Sequence, residues 1–241
     1  MRKESNIKIT PFKIIIFVLV IAILSYAIYY LFPVMKNIAT PQGRIQFKET
    51  ITNSGTVGIF MLFGLQIAQI FLAILPGEPL EILAGMCYGA LGGTIFILVS
   101  VFVTTLAIFF LVKKYGKKFV YEFFSKEKVD KIQKSKIFNN PKKVEFILFI
   151  LFFIPGTPKD LLVYIGGLLT IKPFKFILIA TFARIPSIIS STLAGSNIIK
   201  GNWTSIIIIY IVTFVLAIIA FILVNIFDKN KEAQKALDEI K

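Results

Sequence analysis

The sequence predicts an all-α polytopic membrane protein, with about four transmembrane helices and two opposed re-entrant hairpins related as an inverted repeat. Three observations carry this prediction. Hydrophobic residues make up 56% of the 241-residue chain and the mean hydropathy is +0.82. A soluble domain of this size does not reach such values, and the apolar runs are long enough to span a bilayer. Two segments nearly copy each other, Pro76-Gly77-Glu78-Pro79-Leu80-Glu81-Ile82-Leu83 and Pro155-Gly156-Thr157-Pro158-Lys159-Asp160-Leu161-Leu162, each within an apolar stretch. The basic residues, finally, are spread so unevenly that they discriminate between topologies.

The first apolar run, 14–32, is followed by Pro33-Val34-Met35-Lys36 rather than by small residues at a cleavage site, and so reads as an uncleaved anchor. With the outer loop it forms an N-terminal region, 1–56. A core region, 57–200, opens with the segment 57–89, which holds the first motif. A helix cannot pass undisturbed through Pro-Gly-x-Pro, because both prolines lack an N–H and glycine loosens the backbone. Pro76, Gly77 and Pro79, and in the second copy Pro155, Gly156 and Pro158, are therefore read as hairpin-breaking residues. The run 91–112 is a span. Eleven lysines then lie within 113–143 against Glu122, Glu127 and Asp130, a net +8. In that block Phe119, Phe123, Phe124, Val129, Ile132 and Ile137 recur at roughly helical spacing, the pattern of a helix lying on an anionic membrane face. The segment 144–170 carries the second motif. The span 176–198 contains Ile185-Pro186, expected to kink it. A last region, 201–241, holds the span 203–227 and a short solvated helix.

Charge selects the hairpin topology. If six apolar segments all crossed with the N-terminus inside, 10 basic residues would lie inside and 15 outside, against the positive-inside rule. If 57–89 and 144–170 enter and return, the cytoplasmic side holds 21 basic residues and the outside four, namely Lys36, Arg44, Lys48 and Lys200. Lys159 and Arg184 then lie within the membrane. Both termini are cytoplasmic in this arrangement, and the two motifs approach each other from opposite faces, as paired broken helices do in transporters.

Glu78, Glu81 and Asp160 are the first candidates for substrate or ion binding, since a carboxylate in apolar surroundings must be paired, hydrated or protonated. Lys159 and Arg184 are the available cations. Three acids against two bases leave one negative charge, which a proton or another cation would neutralise. A substrate phosphate could instead replace a carboxylate as partner to Arg184. Glu81 and Asp160, equivalent in the repeat, are expected to act as a pair across the pseudo-two-fold. A purely structural pairing of these charges is the alternative. Gly85, Gly89 and Gly93, and later Gly166, Gly167 and Gly195, are read as small-residue packing faces. Tyr88 and Tyr164 are possible hydrogen-bonders, and the Thr157 hydroxyl is expected to satisfy backbone freed by Pro158. With one cysteine, Cys87, no intrachain disulfide forms, and with no histidine the common zinc, haem and His-based acid/base sites are absent. No metal and no cofactor is expected, and the chain is not read as an enzyme or a nucleic-acid binder.

The two hairpin motifs with their following glycines, together with Ala183-Arg184-Ile185-Pro186-Ser187, resemble the DedA superfamily, also called SNARE-associated Golgi or VTT-domain proteins, and most closely its bacterial Tvp-like branch. The resemblance covers about 50–200. It implies a multi-pass protein of the bacterial inner membrane with two opposed re-entrant hairpins, acting on a phospholipid or a polyprenyl phosphate such as undecaprenyl phosphate. It also implies that acids of the first hairpin and basic residues around the second matter for activity, here Glu78 and Glu81, and Lys159 and Arg184. Many members carry arginine three residues before the first proline of the second motif, where this chain has Phe152, so a phosphate-binding role there is lost or moved to Lys159. The expected function is a lipid flippase or scramblase for a polar, phosphate-bearing head group, with protons as a possible coupling ion. A proton- or cation-coupled small-solute carrier and a non-transporting scaffold are the alternatives.

Overall fold

Within a bilayer every backbone N–H and C=O needs a partner in the chain itself, and every regular element among the described residues is a helix. The computed structural model describes residues 40–72, 77–135, 138, 140, 143–154 and 157–227 and the single positions 22 and 29, with no strand among them. Nearly all of the anchor run 14–32, with Lys36, Ile137 and the tail after 227, lies outside the described residues, as do Pro76, Pro155 and Gly156. The described helices are α1 (Pro41–Asn53), α2 (Gly55–Leu72), α3 (Glu78–Tyr115), α4 (Lys117–Val120), α5 (Lys126–Lys134), α6 (Val144–Phe153), α7 (Lys159–Leu168), α8 (Pro173–Phe182), α9 (Ile185–Lys200) and α10 (Trp203–Phe227).

The first motif separates α2 from α3. Gly77 caps α3 and Pro79 falls in its first turn, where a missing N–H costs nothing. α3 is not one rod. Gly89 takes φ +75° and ψ 177°, a left-handed backbone that glycine tolerates, and a Cβ placed on Gly93 would meet the Ala84 carbonyl group at 2.8 Å. In a straight helix residues nine apart are separated by about 13 Å. The stretch 78–88 therefore folds back along 90–115. Gly89 is thus a turn residue and not part of a packing face, a correction to the sequence reading.

The second motif does the same between α6 and α7. Pro158 (φ −73°, ψ 73°) sits in a tight turn in which the Lys159 N–H donates to the Thr157 carbonyl at 2.8 Å. The Thr157 hydroxyl donates to the Leu151 carbonyl at 2.5 Å and to the Ile154 carbonyl at 3.0 Å, satisfying groups at the end of α6. It serves the C-terminus of α6 rather than backbone freed by Pro158, a correction to the sequence reading. After α7 the chain reverses through 169–172 into α8 and α9, one apolar stretch interrupted at Ala183 and Arg184. The break lies just ahead of Pro186, which cannot donate to the Phe182 carbonyl.

Among the described helices, α3 and α9 make the most extensive contact. Glycine permits it: a Cβ on Gly85 would run into the Thr192 backbone, and one on Gly195 into the Ile82 carbonyl. The Thr94 and Thr192 hydroxyls bond across this seam at 2.8 Å. Gly167 admits Val112, and Gly166 admits the Phe176 ring. On the other face of α3, Leu91, Ile95, Val99, Val103, Leu106 and Phe110 form an exposed apolar row at helical spacing. Such a row suits lipid rather than water. α10 exposes Ile207, Ile208, Ile211 and Phe214 in the same way. Among the described residues, two helical stretches are long and apolar enough by length and composition to cross a membrane, Glu78–Tyr115 and Pro173–Lys200.

The basic central segment departs from expectation. It forms two short helices, α4 and α5, rather than one, and its apolar side chains face protein rather than lipid. Phe119, Phe123 and Phe124 surround the Tyr164 ring at 6.0, 5.0 and 5.3 Å, and Val129 and Ile132 are fully buried. Asp130 ties the two helices together, accepting from the Tyr121 hydroxyl at 2.7 Å and from Lys117 at 3.3 Å. The Tyr121 hydrogen bond, aided by the lysine, holds the Asp130 carboxyl below the usual aspartate range.

Candidate functional site

Both motifs deliver their acids to the first turn of a helix, where unpaired N–H groups and the helix dipole favour negative charge. Glu78 and Glu81 open α3, and Asp160 opens α7. Arg184, at the break before α9, is buried, its side chain 7% exposed. These elements converge. Arg184 Nη1 lies 3.6 Å from Asp160 Oδ1, and the other carboxylate oxygen, Oδ2, accepts from Gln69 Nε2 of α2 at 2.9 Å. Lys159 Nζ donates to Ser187 Oγ of α9 at 2.8 Å. Glu81 is within electrostatic reach of both Lys159 and Arg184, with Ser191 beside its carboxyl. Glu78 stands exposed at the rim, still felt by Lys159. Asp160 and Arg184 are thus brought into contact, and Lys159 reaches α9 beside them. Glu81 lies within electrostatic reach of Lys159 and Arg184, and Glu78 is at the exposed edge.

The guanidinium is held on two sides and buried without a hydrogen-bond partner on a third. Its Nη1 edge faces Asp160, and its carbon lies 5.1 Å from the centroid of the Phe152 ring. Nε and Nη2 are buried without a hydrogen-bond partner. Those two atoms carry parallel N–H bonds, the edge with which arginine grips two oxygens of one phosphate or carboxylate. Glu81 Oε2 and Gln66 Oε1 are also buried and unpartnered. Buried donors and acceptors of this kind are rare in native proteins because leaving one unsatisfied costs about 1–3 kcal/mol, more for a charged group. The arrangement can present a cationic fork and a carboxylate to a ligand carrying both acceptor oxygens and a donor.

Several partners were not read from the sequence. Gln66 and Gln69 are three apart in the otherwise apolar α2, a signal that was available, since side chains at that spacing share a helix face. Ser187 and Ser191 belong to a serine-rich turn of α9, and Tyr210 of α10 is within electrostatic reach of Glu78 and Glu81. Tyr164 is structural: its hydroxyl donates to the Phe71 carbonyl at 2.6 Å, tying α7 to the end of α2. Tyr88 packs its ring on Phe96 at 5.3 Å, with a buried unpartnered hydroxyl.

Residues 75–197 match the VTT domain, the domain of the DedA and SNARE-associated proteins. The chain belongs to the VTT-domain family. This VTT domain spans Glu78, Glu81, Lys159, Asp160 and Arg184, while Gln66 and Gln69 precede it. No curated protein and no solved structure matches the chain. Family and apolar helices together make this VTT-domain chain a membrane protein.

Proposed function

We propose that this VTT-domain protein is a lipid flippase or scramblase that passes a phosphate-bearing head group, of a phospholipid or a polyprenyl phosphate, between its two hairpins while the acyl chains stay in lipid. The observation that carries this reading is the buried, unpartnered Nε and Nη2 edge of Arg184, whose guanidinium lies between Asp160 and Phe152. Lys159, only partly buried, adds positive charge for the head group. The exposed apolar rows of α3 and α10 are consistent with a site reached from the bilayer. Glu81, with one orphaned oxygen, is the group through which protons would couple to movement, and a small-solute carrier would use the same carboxylate.

The topology that goes with this reading has α2 with 78–88, and α6 with α7, as two re-entrant hairpins forming an inverted repeat, each turning at a Pro-Gly-x-Pro motif. Both termini and the basic segment face the cytoplasm of a bacterial cell, and the protein sits in its inner membrane as a transporter without a cofactor. Both halves run through the same sequence of apolar helix, break, short helix, reversal and long apolar stretch, which supports the repeat. The test is flux of fluorescent head-group phospholipids in proteoliposomes. Arg184→Lys should retain partial activity, since lysine keeps the charge and loses the planar fork, and Arg184→Gln almost none. Full flux in Arg184→Gln would refute the reading.

A further inference from the structure

Phe152 sits among the charges without a polar atom to offer them. It is fully buried, and its ring is braced edge-on by Phe176 at 6.1 Å, which in turn stacks on Phe109 at 5.3 Å, both also fully buried. A ring packed in this way cannot turn aside. It presents its face, the negative side of the aromatic quadrupole, to the guanidinium of Arg184 at 5.1 Å. Asp160 fixes one edge of that guanidinium, but at 3.6 Å a single oxygen leaves the plane free to rock about the contact. The second constraint, the one that sets the plane, is the ring.

We propose that Phe152 is a positioning residue for Arg184: it holds the guanidinium flat against its face so that the Nε and Nη2 edge points into the site as a pre-set fork for an oxyanion with two oxygens on one centre. The ordering of Arg184 stands on the geometry alone, while the consequence for a ligand rests on the reading of Arg184 as the phosphate contact. An aliphatic side chain at position 152 would fill much of the same space and supply no such face. Arg184 would then keep its charge and lose its direction, and binding would weaken because the fork must be ordered each time a ligand arrives.

The chain contains three arginines, Arg2, Arg44 and Arg184, so the side-chain spectrum of the 15N-arginine-labelled full-length protein in micelles is sparse enough to read. Arg44, whose guanidinium carbon lies 5.7 Å from the Trp203 ring centroid, reports whether the fold is intact. In the native protein the Arg184 Nε–H resonance should show an upfield ring-current displacement and slow rotation of its Nη groups. In Phe152→Leu the displacement should vanish and the rotation quicken, with the Arg44 signal unmoved. Titration with dihexanoyl phosphatidic acid should move the Arg184 resonance, with half-saturation about tenfold higher in Phe152→Leu, the factor that about 1.4 kcal/mol represents. Fluorinating the Phe152 ring, which keeps its shape and drains its face of negative charge, should give an intermediate loss, and this decides the matter if the leucine variant disturbs the Arg44 signal. Unchanged Nη rotation on either substitution would overturn the positioning role. If the probe leaves the Arg184 resonance unmoved in the native protein, the phosphate reading fails, and the rotation rates still judge Phe152.

Discussion

Removing one member of the Asp160 and Arg184 pair should hurt more than removing both. Arg184 is 7% exposed and Asp160 19% at the side chain, so water does little to screen either charge. Breaking a buried pair by deleting one partner typically costs about 3–5 kcal/mol, because the remaining charge is left uncompensated. Asp160→Asn should fall at the low end of that range, near 3 kcal/mol, for two structural reasons. The amide oxygen can still accept from Gln69, and Glu81 remains to attract the guanidinium. For a chain of this size a loss of about 3 kcal/mol lowers the melting temperature by roughly 6–12 °C. The assay is thermal unfolding of the purified protein in detergent, followed by helical circular dichroism. The double variant Arg184→Gln with Asp160→Asn should regain most of that loss, since no buried charge is left without a partner. Its transport separates the roles. If Arg184 grips a phosphate, the double variant is stable and inactive; if the pair is only structural, it is stable and active. Recovered flux in the double variant would therefore refute phosphate binding by Arg184, and a single Asp160→Asn variant melting at the native temperature would refute the buried-pair argument itself.

The seam between α3 and α9 should be intolerant of volume: Gly195→Val should abolish folding, because its Cβ would collide with the Ile82 carbonyl, whereas Gly64→Ala, with open space around it, should express and melt like the native protein. Asp130, held below the usual aspartate range by Tyr121, stabilises the basic segment at every pH above that range, and this contribution is lost as the pH falls through the depressed value. Amide exchange over 117–134 should accordingly quicken at strongly acidic pH, and Asp130→Asn should remove that acid dependence; acid-independent exchange in the native protein would contradict the argument. Cysteine-accessibility labelling in whole cells should find Lys131 and Lys172 protected from outside and Lys200 accessible, and external labelling of the 113–143 segment would sink the two-hairpin topology.

What the linear sequence determined follows from rules that act over a few residues. Proline lacks an N–H wherever it stands, so both Pro-Gly-x-Pro copies had to end one helix and begin another, and α2, α3, α6 and α7 begin and end around them. A carboxylate just after such a break falls in a helix's first turn by spacing alone, which is why Glu78, Glu81 and Asp160 could be singled out. The small-residue faces at Gly85, Gly93 and Gly195 were legible for the same reason, since glycine signals close approach without naming the partner. Tertiary structure alone decided what each of these meets. No local pattern says that Gln69, 91 residues before Asp160, supplies its second hydrogen bond, or that Arg184 lies against Phe152. Nor does spacing show that Gly89 is a turn while its neighbours four residues away are packing contacts, because all three are the same residue and only the backbone path differs. The apolar stripe of the basic segment reads identically whether it faces lipid or protein, since both are apolar. Packing around Tyr164 is what settles it.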